Sequence, residues 1–183
     1  LDAALGLKAS PADGWWFNLS GGYQIRENDV CLYTRTGSGF DMKNMVGDTK
    51  VFYATAELKY DYKDLFDFSL KGTYYHWDWE AEFGSVSHVA DALSLKPELE
   101  INAEFGFKPM RGLRVNAGYD YVKRCNDVCG DPVSNLYAGA NYALLKNLGV
   151  FAQVNNLLNK EYITISTFPA QKLNFLAGLS LQF

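Results

Sequence analysis

Apolar and polar residues alternate with a period of two over long runs of this 183-residue chain. In the segment 95–107 the odd positions are the apolar ones: Leu95, Pro97, Leu99, Ile101, Ala103, Phe105 and Phe107. The even positions between them carry polar or charged residues or glycine. A period of two is typical of a β-strand with one apolar and one polar face, and a helical period of 3.6 fits none of these runs. The chain is therefore predicted to be all-β.

The same alternation predicts about nine strands. They lie at residues 1–10, 14–26, 50–62, 65–80, 95–108, 113–123, 135–144, 148–156 and 172–183. Short turns near residues 11–13, 63–64, 109–112 and 146–147 alternate with long loops. Because every second connection is a tight turn, neighbouring strands are expected to pair as antiparallel hairpins in an up-and-down order.

Composition narrows the class of protein. Aromatic residues make up 15% of the chain, which excludes a disordered chain, and three cysteines are too few for a disulfide scaffold. No run approaches the ~18 apolar residues of a membrane-spanning helix. The net charge of −4 argues against a nucleic-acid partner. The chain starts without Met and without a basic or apolar leader, so a signal peptide is expected to be removed or to lie outside this segment.

The apolar face of these strands has two interpretations. It faces lipid in an outer-membrane barrel, or it surrounds an apolar ligand in a soluble lipocalin-like barrel. Strand length favours the membrane, since soluble strands are mostly ~5–6 residues and tilted transmembrane strands need ~9–11. The polar face also mixes charge with Gly, Asn, Ser and Thr, as a wet lumen does. Antiparallel transmembrane β-barrel strands are therefore predicted.

The positions of the aromatic residues support the same choice. Outward residues near the short turns are Trp15, Phe17, Tyr60, Tyr62, Phe66, Phe68, Phe107, Tyr142 and Phe183. Those near the long loops are Tyr23, Phe52, Tyr74, Tyr119 and Tyr121. Alanine and leucine fill the outward positions between them. Two aromatic belts around an aliphatic band are typical of an outer-membrane barrel, because Tyr and Trp favour the boundary between lipid and water.

Two C-terminal segments resemble a known family. The run Val154-Asn155-Asn156-Leu157-Leu158-Asn159-Lys160-Glu161-Tyr162 resembles the Asn-Leu-Phe-Asp/Asn-Lys-x-Tyr segment that closes the penultimate strand of TonB-dependent outer-membrane receptors. The matching positions are Asn156, Leu157, Asn159, Lys160 and Tyr162, whereas Leu158 stands where the family usually has Phe. Residues 174–183 resemble the final strand of that family, with outward Phe175, Leu179, Leu181 and Phe183. The barrel-assembly machinery is expected to capture such a terminal strand.

The resemblance implies a function in import across the outer membrane of a Gram-negative cell. Receptors of this family bind a nutrient, such as a metal chelate, a corrinoid or an oligosaccharide, at their outer loops. A plug inside a barrel of some 22 strands is then remodelled by TonB. Nothing in this sequence resembles the plug, and nine strands are an odd number, whereas single-chain bacterial barrels have even numbers. Residues 1–183 are therefore expected to be the C-terminal part of the barrel domain, surrounded by outer-membrane lipid.

One aromatic cluster is a candidate ligand site. Tyr75, Trp77 and Trp79 lie on one face of a strand that leads into a long loop. Their ring faces could stack on a sugar or a flat chelate, and the alternative is simple packing above the membrane. The charged residues Lys96, Glu98, Glu100, Glu104 and Lys108 are expected to line the lumen.

The cysteines predict a small disulfide loop and no enzyme. Cys125 and Cys129 lie close together in a long loop, where an oxidising exterior favours a bridge, although a bridge from Cys31 to either one stays open. We find no metal-ligand spacing, cofactor motif or catalytic motif. A non-enzymatic transporter component is predicted. The alternatives are a complete small barrel of eight to ten strands with a structural or adhesion function, and the soluble barrel.

Overall fold

The computed structural model describes the backbone of residues 1–27, 30–34, 40–44, 48–79, 96–125, 131–165 and 168–181. The strands are β1 (Asp2–Ala9), β2 (Trp15–Glu27), β3 (Val30–Thr34), β4 (Phe40–Asn44), β5 (Asp48–Tyr62), β6 (Phe66–Trp79), β7 (Pro97–Met110), β8 (Leu113–Arg124), β9 (Val133–Ala143), β10 (Leu148–Asn155), β11 (Ile163–Ile165), β12 (Phe168–Pro169) and β13 (Asn174–Leu181). Within these residues, no helix is long and apolar enough to cross a membrane.

Nine of these strands form one sheet in the order β1-β2-β5-β6-β7-β8-β9-β10-β13, and every neighbouring pair is antiparallel. The predicted all-β, up-and-down arrangement of nine strands is confirmed. The other four strands correct the prediction, because they lie in segments expected to be loops. β3 pairs with β4, and β11 pairs with β12. Their β-branched and aromatic residues favour extended backbone, although the runs are too short to show a clear period of two.

The register keeps apolar residues on one face of the sheet from edge to edge. Leu58 lies opposite Leu70, and Leu70 lies opposite Ala103 on the next strand. Large apolar side chains on this face are exposed, including Leu5 (84%) and Leu19 (60%). The only buried hydrophobic residues among the described side chains are Val51 and Tyr162. The sheet therefore has almost no core of its own, and its apolar face needs an apolar surrounding.

An aromatic belt runs along this face beside the short turns. Its rings lie within about 4 to 6 Å of one another, at centroid distances of 4.4 Å for Trp15–Tyr60, 5.8 Å for Tyr60–Phe66 and 6.2 Å for Phe66–Phe105. From Tyr62 in this belt to Phe52 near the loops is ten residues, or about 33 Å along the strand. At a barrel tilt of about 40° this corresponds to a height of about 25 Å, which equals the usual apolar band of a membrane barrel.

On the opposite, polar face, large side chains of one strand lie over glycines of a neighbour. Arg114 on β8 makes a two-pronged ion pair with Asp67 on β6, with both N–O distances 2.8 Å, and this pair crosses above Gly106 on β7. Tyr137 covers Gly118 in a similar way. A Cβ at either glycine would collide with the covering side chain. Glycine at these two positions therefore lets the covering side chain lie directly on the strand, and a larger residue would displace that side chain.

A bulge near the end of β7 changes which residues face outward. Phe107 pairs with Val115, but Met110 pairs with Leu113, so one residue is inserted between these two pairs. Strict alternation would place Met110 on the polar face, whereas the bulge puts it beside Leu113 on the apolar face. The predicted turn 109–112 accordingly narrows to Arg111 and Gly112, whose φ is 82°.

The two edges of the sheet are β1 and β13. Each pairs with a single neighbour, β1 with β2 and β13 with β10. Both strands run from the end of the sheet that bears the long loops, here called the loop end, towards the end that bears the short turns, called the turn end. The sheet is open among the residues that the structure describes.

Candidate functional site

Two of the three aromatic residues predicted to bind ligand, Tyr75 and Trp77, lie on the polar face at the loop end. The rings of Tyr75 and Trp77 are stacked, with centroids 6.0 Å apart and planes 27° from parallel. The Tyr75 hydroxyl donates to Glu100 Oε2 at 3.1 Å, and Trp77 Nε1 donates to the Pro97 carbonyl at 2.6 Å. These bonds satisfy the polar atoms of both rings. The backbone of Trp79 lies opposite Thr49, and its side chain lies outside the described residues.

Two cations lie against the Trp77 indole. Arg26 Cζ is 5.6 Å and Lys96 Nζ is 5.0 Å from the ring centroid. Arg26 is also held by Gln24, whose Oε1 accepts from Arg26 Nη2 at 2.7 Å. Cation–π contacts of this kind contribute ~0.5–2 kcal/mol each. Tyr75, Trp77, Arg26 and Lys96 are called the aromatic–cation cluster below.

The sheet beneath the cluster is closely packed. Val51, which lies opposite both Gln24 and Trp77, is only 1% exposed. Thr49, two residues nearer the loop end on the same strand, is fully buried. The cluster therefore combines fixed ring faces with two positive charges, an arrangement that suits a ligand with planar or CH-rich surface and negative charge. The sequence revealed the rings and placed Lys96 on the lumen face, but it did not reveal Arg26 of β2 or the contact of both cations with Trp77.

The family-like motif forms a compact joint at the same end. Asn156 is 1% exposed and has a φ of 50°. Its Nδ2 donates to the carbonyls of Lys160 (2.8 Å) and Gln171 (3.1 Å), and its Oδ1 accepts from the Lys160 amide (3.1 Å). The Asn156 amide donates to Asn135 Oδ1 at 3.0 Å. One side chain thereby ties both ends of the loop after β10 to each other.

The other motif residues extend this joint. The Leu157 amide donates to the Leu136 carbonyl at 2.8 Å, and Asn159 Oδ1 accepts from the Leu173 amide at 3.2 Å. Tyr162 is buried, and its burial, with a smaller contribution from Asp120, raises the pKa of the phenol. Sequence reasoning missed Asn135 and Arg124, which donates from Nη1 to the Ile163 carbonyl at 2.8 Å. Their partners are distant in sequence, so only the strand register could have revealed them.

The cysteine prediction is only partly covered by the structure. Cys125 is half-buried and has no disulfide partner among the described residues. Burial, followed by the charge of Glu98, raises the pKa of its thiol to about 11. Cys129 and the side chain of Cys31 lie outside the described residues, so the Cys125–Cys129 bridge stays a prediction. No group of three or more His, Cys, Asp or Glu side chains in the described part of the chain could hold a metal ion.

The terminal strand β13 exposes apolar side chains on one face, as its sequence predicts. Phe175, Leu179 and Leu181 on β13 are 68%, 70% and 58% exposed, and all three lie on the apolar face. Phe183 lies outside the described residues.

Comparison with solved structures defines the class of fold. The copper transporter OprC matches with a TM-score of 0.72 at 16% identity, over 100% of this chain and 31% of that protein. The siderophore receptor PiuA from Acinetobacter baumannii matches with a TM-score of 0.72 at 18% identity, over 98% and 28%. The ferric enterobactin receptor PfeA from Pseudomonas aeruginosa matches with 0.69 at 18%, over 100% and 31%. No protein-family model matches the sequence, and no curated protein matches it.

These likenesses establish the fold of an outer-membrane β-barrel. Within that class, the matched proteins include a copper transporter, a siderophore receptor and a ferric-catecholate import receptor, which agrees with the family that the C-terminal motif and final strand resemble. The chain spans about a third of the length of each of the three proteins.

Proposed function

We propose that residues 1–183 are C-terminal barrel strands of a TonB-dependent outer-membrane receptor that imports a nutrient ligand. The observation that carries this proposal is the open sheet of nine strands, six of them 11 to 15 residues long, whose edges β1 and β13 lack outer partners in the described chain. An unpaired edge is not stable in lipid, because no water satisfies its backbone groups. Further strands must therefore complete the barrel, which also accords with a chain that covers a third of its structural neighbours.

The alternative of a complete small barrel meets a geometric obstacle. β1 and β13 run in the same direction, so closing these nine strands on themselves would need one parallel pair in an otherwise antiparallel barrel. Bacterial single-chain barrels have even strand numbers and antiparallel neighbours throughout. The soluble alternative is disfavoured by the exposed apolar face and by the near absence of a core.

A metal chelate is the ligand class that we favour over a corrinoid or an oligosaccharide. The aromatic–cation cluster offers stacked rings and positive charge, which suit an anionic chelate with aromatic groups. Proteins of similar structure are named as a copper transporter, a siderophore receptor and a ferric-catecholate import receptor. An uncharged oligosaccharide would use the rings but not the two cations.

The remaining partners follow from the same proposal. The polar face, where Glu100, Glu104 and Asp120 accept hydrogen bonds from neutral groups, would meet a plug that other parts of the receptor supply. TonB would act through that plug. The exposed side of β13 would engage the barrel-assembly machinery, and the apolar face would meet membrane lipid. These partners are those of a transport component rather than of an enzyme.

Binding to the intact receptor tests the ligand site. We expect a ferric tris-catecholate complex to bind in calorimetry, and Trp77→Ala to weaken it by roughly thirtyfold, as for a central aromatic contact. Trp16→Ala is the matched control, since Trp16 also lies on the polar face with a lysine, Lys59, 5.0 Å from its ring, but at the turn end. Equal losses in both variants would contradict the assignment of the cluster.

Two further measurements separate the ligand from the transport function. Cyanocobalamin and maltoheptaose are titrated in parallel, and tighter binding of either one would replace the metal chelate as the ligand class. Uptake is then measured in cells with and without TonB. Uptake that persists without TonB would overturn the receptor proposal itself.

A further inference from the structure

The turn end of the sheet combines cations with exposed apolar side chains. Three of the short turns carry exposed leucine or methionine: Leu65, Met110, Leu144 and Leu145 are 40%, 57%, 47% and 63% exposed. Exposed lysine or arginine accompanies them in each turn, namely Lys63, Lys108, Arg111 and Lys146. Turns that face only water would have no reason to expose so much apolar surface.

One hollow at the turn end brings cations and exposed apolar side chains together. It has a volume of about 520 Å³, within the range of ligand-sized sites, and it lies between the β5–β6 turn and the β7–β8 turn. Its lining residues are Asp64, Lys108, Met110, Arg111, Gly112, Leu113 and Arg114. The bulge in β7 creates its apolar side, because it turns Met110 outward beside Leu113.

The charge balance of the hollow is positive. Arg114 is neutralised by its two-pronged pair with Asp67. Lys108 and Arg111 form no ion pair or side-chain hydrogen bond among the residues that the structure describes, whereas Asp64 contributes one negative charge. Lys108 and Arg111 together with Asp64 therefore leave one net positive charge next to outward apolar side chains, at the depth where the aromatic belt marks the membrane boundary.

We propose that this hollow binds the phosphate of an anionic glycerophospholipid, with Lys108 and Arg111 at the phosphate and with Met110 and Leu113 against the upper acyl chain. The periplasmic leaflet of an outer membrane contains anionic glycerophospholipids among its lipids, and cations at a membrane surface attract anionic headgroups. Continuity with the lipid-facing sheet favours a lipid over a soluble anion, because the apolar side of the hollow opens onto the same face as Val115 and Phe107. The proposal rests on the barrel fold but not on which nutrient the receptor imports.

Native mass spectrometry of the intact receptor in neutral detergent tests this site. We expect phosphatidylglycerol to be retained in preference to phosphatidylethanolamine of the same chain length. Lys108→Gln with Arg111→Gln should lower retention of phosphatidylglycerol by about thirtyfold, since each cation near an anionic surface contributes ~1 kcal/mol. Lys108→Arg with Arg111→Lys should retain it. The matched control is Lys160→Gln with Lys172→Gln, which removes two exposed cations at the loop end and should change nothing.

Three outcomes would overturn the site: unchanged retention in the double variant, an equal loss in the control, or displacement by soluble glycerol 3-phosphate at matched concentration. Heat-modifiable migration on a gel establishes that each variant is folded. A photoreactive phosphatidylglycerol needs no variant, and it should label the peptide around Met110 and Leu113 in the unaltered receptor. Labelling confined to other turns would also refute the proposal. None of these results depends on nutrient uptake, so they stand apart from the test of the transport function.

Discussion

At the scale of single residues, Asn156 has the most demanding position in the described chain. A non-glycine residue with a positive φ is uncommon, and asparagine tolerates it better than most. Its buried side chain holds three hydrogen bonds that join the loop after β10 at both of its ends. The family-like motif therefore has a structural explanation: it fixes the exit of the penultimate strand and the return of the chain to β13.

Asn156→Ala should destabilise the folded protein by about 3 kcal/mol, since it removes three buried hydrogen bonds and leaves their backbone partners unsatisfied. We expect the loop between Leu157 and Leu173 to become sensitive to protease in membranes. Urea unfolding in lipid vesicles measures the free energy.

Asn156→Asp keeps the acceptor that binds the Lys160 amide but turns a buried carboxylate oxygen towards the carbonyls of Lys160 and Gln171, so at neutral pH it should cost at least as much as Asn156→Ala. Asn141→Ala, at an exposed asparagine of β9, serves as the control and should cost almost nothing. A cost for Asn156→Ala as small as that of the control would show that the loop is held by other contacts.

At the scale of the strands, the sequence predicted the nine long elements well because period-two alternation is a local signal. It missed features that depend on register between strands. The bulge that turns Met110 outward arises between β7 and β8, and the meeting of Arg26 with Trp77 requires β2, β5 and β6 to be aligned. The short strands β3, β4, β11 and β12 were also missed, since they have too few residues for a period to emerge.

The two faces of β6 give a direct test of the membrane arrangement. Leu70 belongs to the apolar face and Lys71 to the polar face, one residue apart on the same strand. Spin labels are placed at Leu70→Cys or Lys71→Cys in a receptor whose native cysteines are replaced. We expect the label at position 70 to collide with lipid-soluble oxygen, and the label at 71 to be reached instead by a water-soluble nickel chelate.

Leu58 pairs with Leu70 across β5 and β6, so a spin label at Leu58→Cys should show the same accessibility to oxygen as the label at position 70. Agreement between the two would show that accessibility depends on the face of the sheet and not on the single position. If the label at position 70 were shielded from both reagents, the apolar face would be an interior one and the soluble barrel would return as the better interpretation.

At the scale of the whole molecule, the two edge strands of the sheet determine how the barrel can be completed. β1 and β13 each offer one row of unpaired backbone groups among the described residues. Polar backbone without a partner is costly in lipid, so both edges are expected to bind further strands.

Disulfide trapping distinguishes a larger barrel from one closed by these nine strands. Leu7→Cys is combined in turn with Phe175→Cys, Ala177→Cys or Leu179→Cys, in a receptor without native cysteines. We expect none of these pairs to cross-link in the folded protein, because strands from elsewhere separate β1 from β13. Leu7→Cys with Leu19→Cys is the positive control, since these two residues are direct partners on β1 and β2. Efficient trapping between β1 and β13 would mean that the nine strands close on themselves.

The shared direction of the two edge strands also sets a rule of parity for the rest of the barrel. An antiparallel strand added beside β13 must run from the turn end to the loop end. Each further strand then runs opposite to the strand before it. The last added strand must also run from the turn end to the loop end, so that it lies antiparallel to β1. Both conditions hold only when the number of added strands is odd. Nine strands and an odd complement make an even total, which is the rule that bacterial barrels obey.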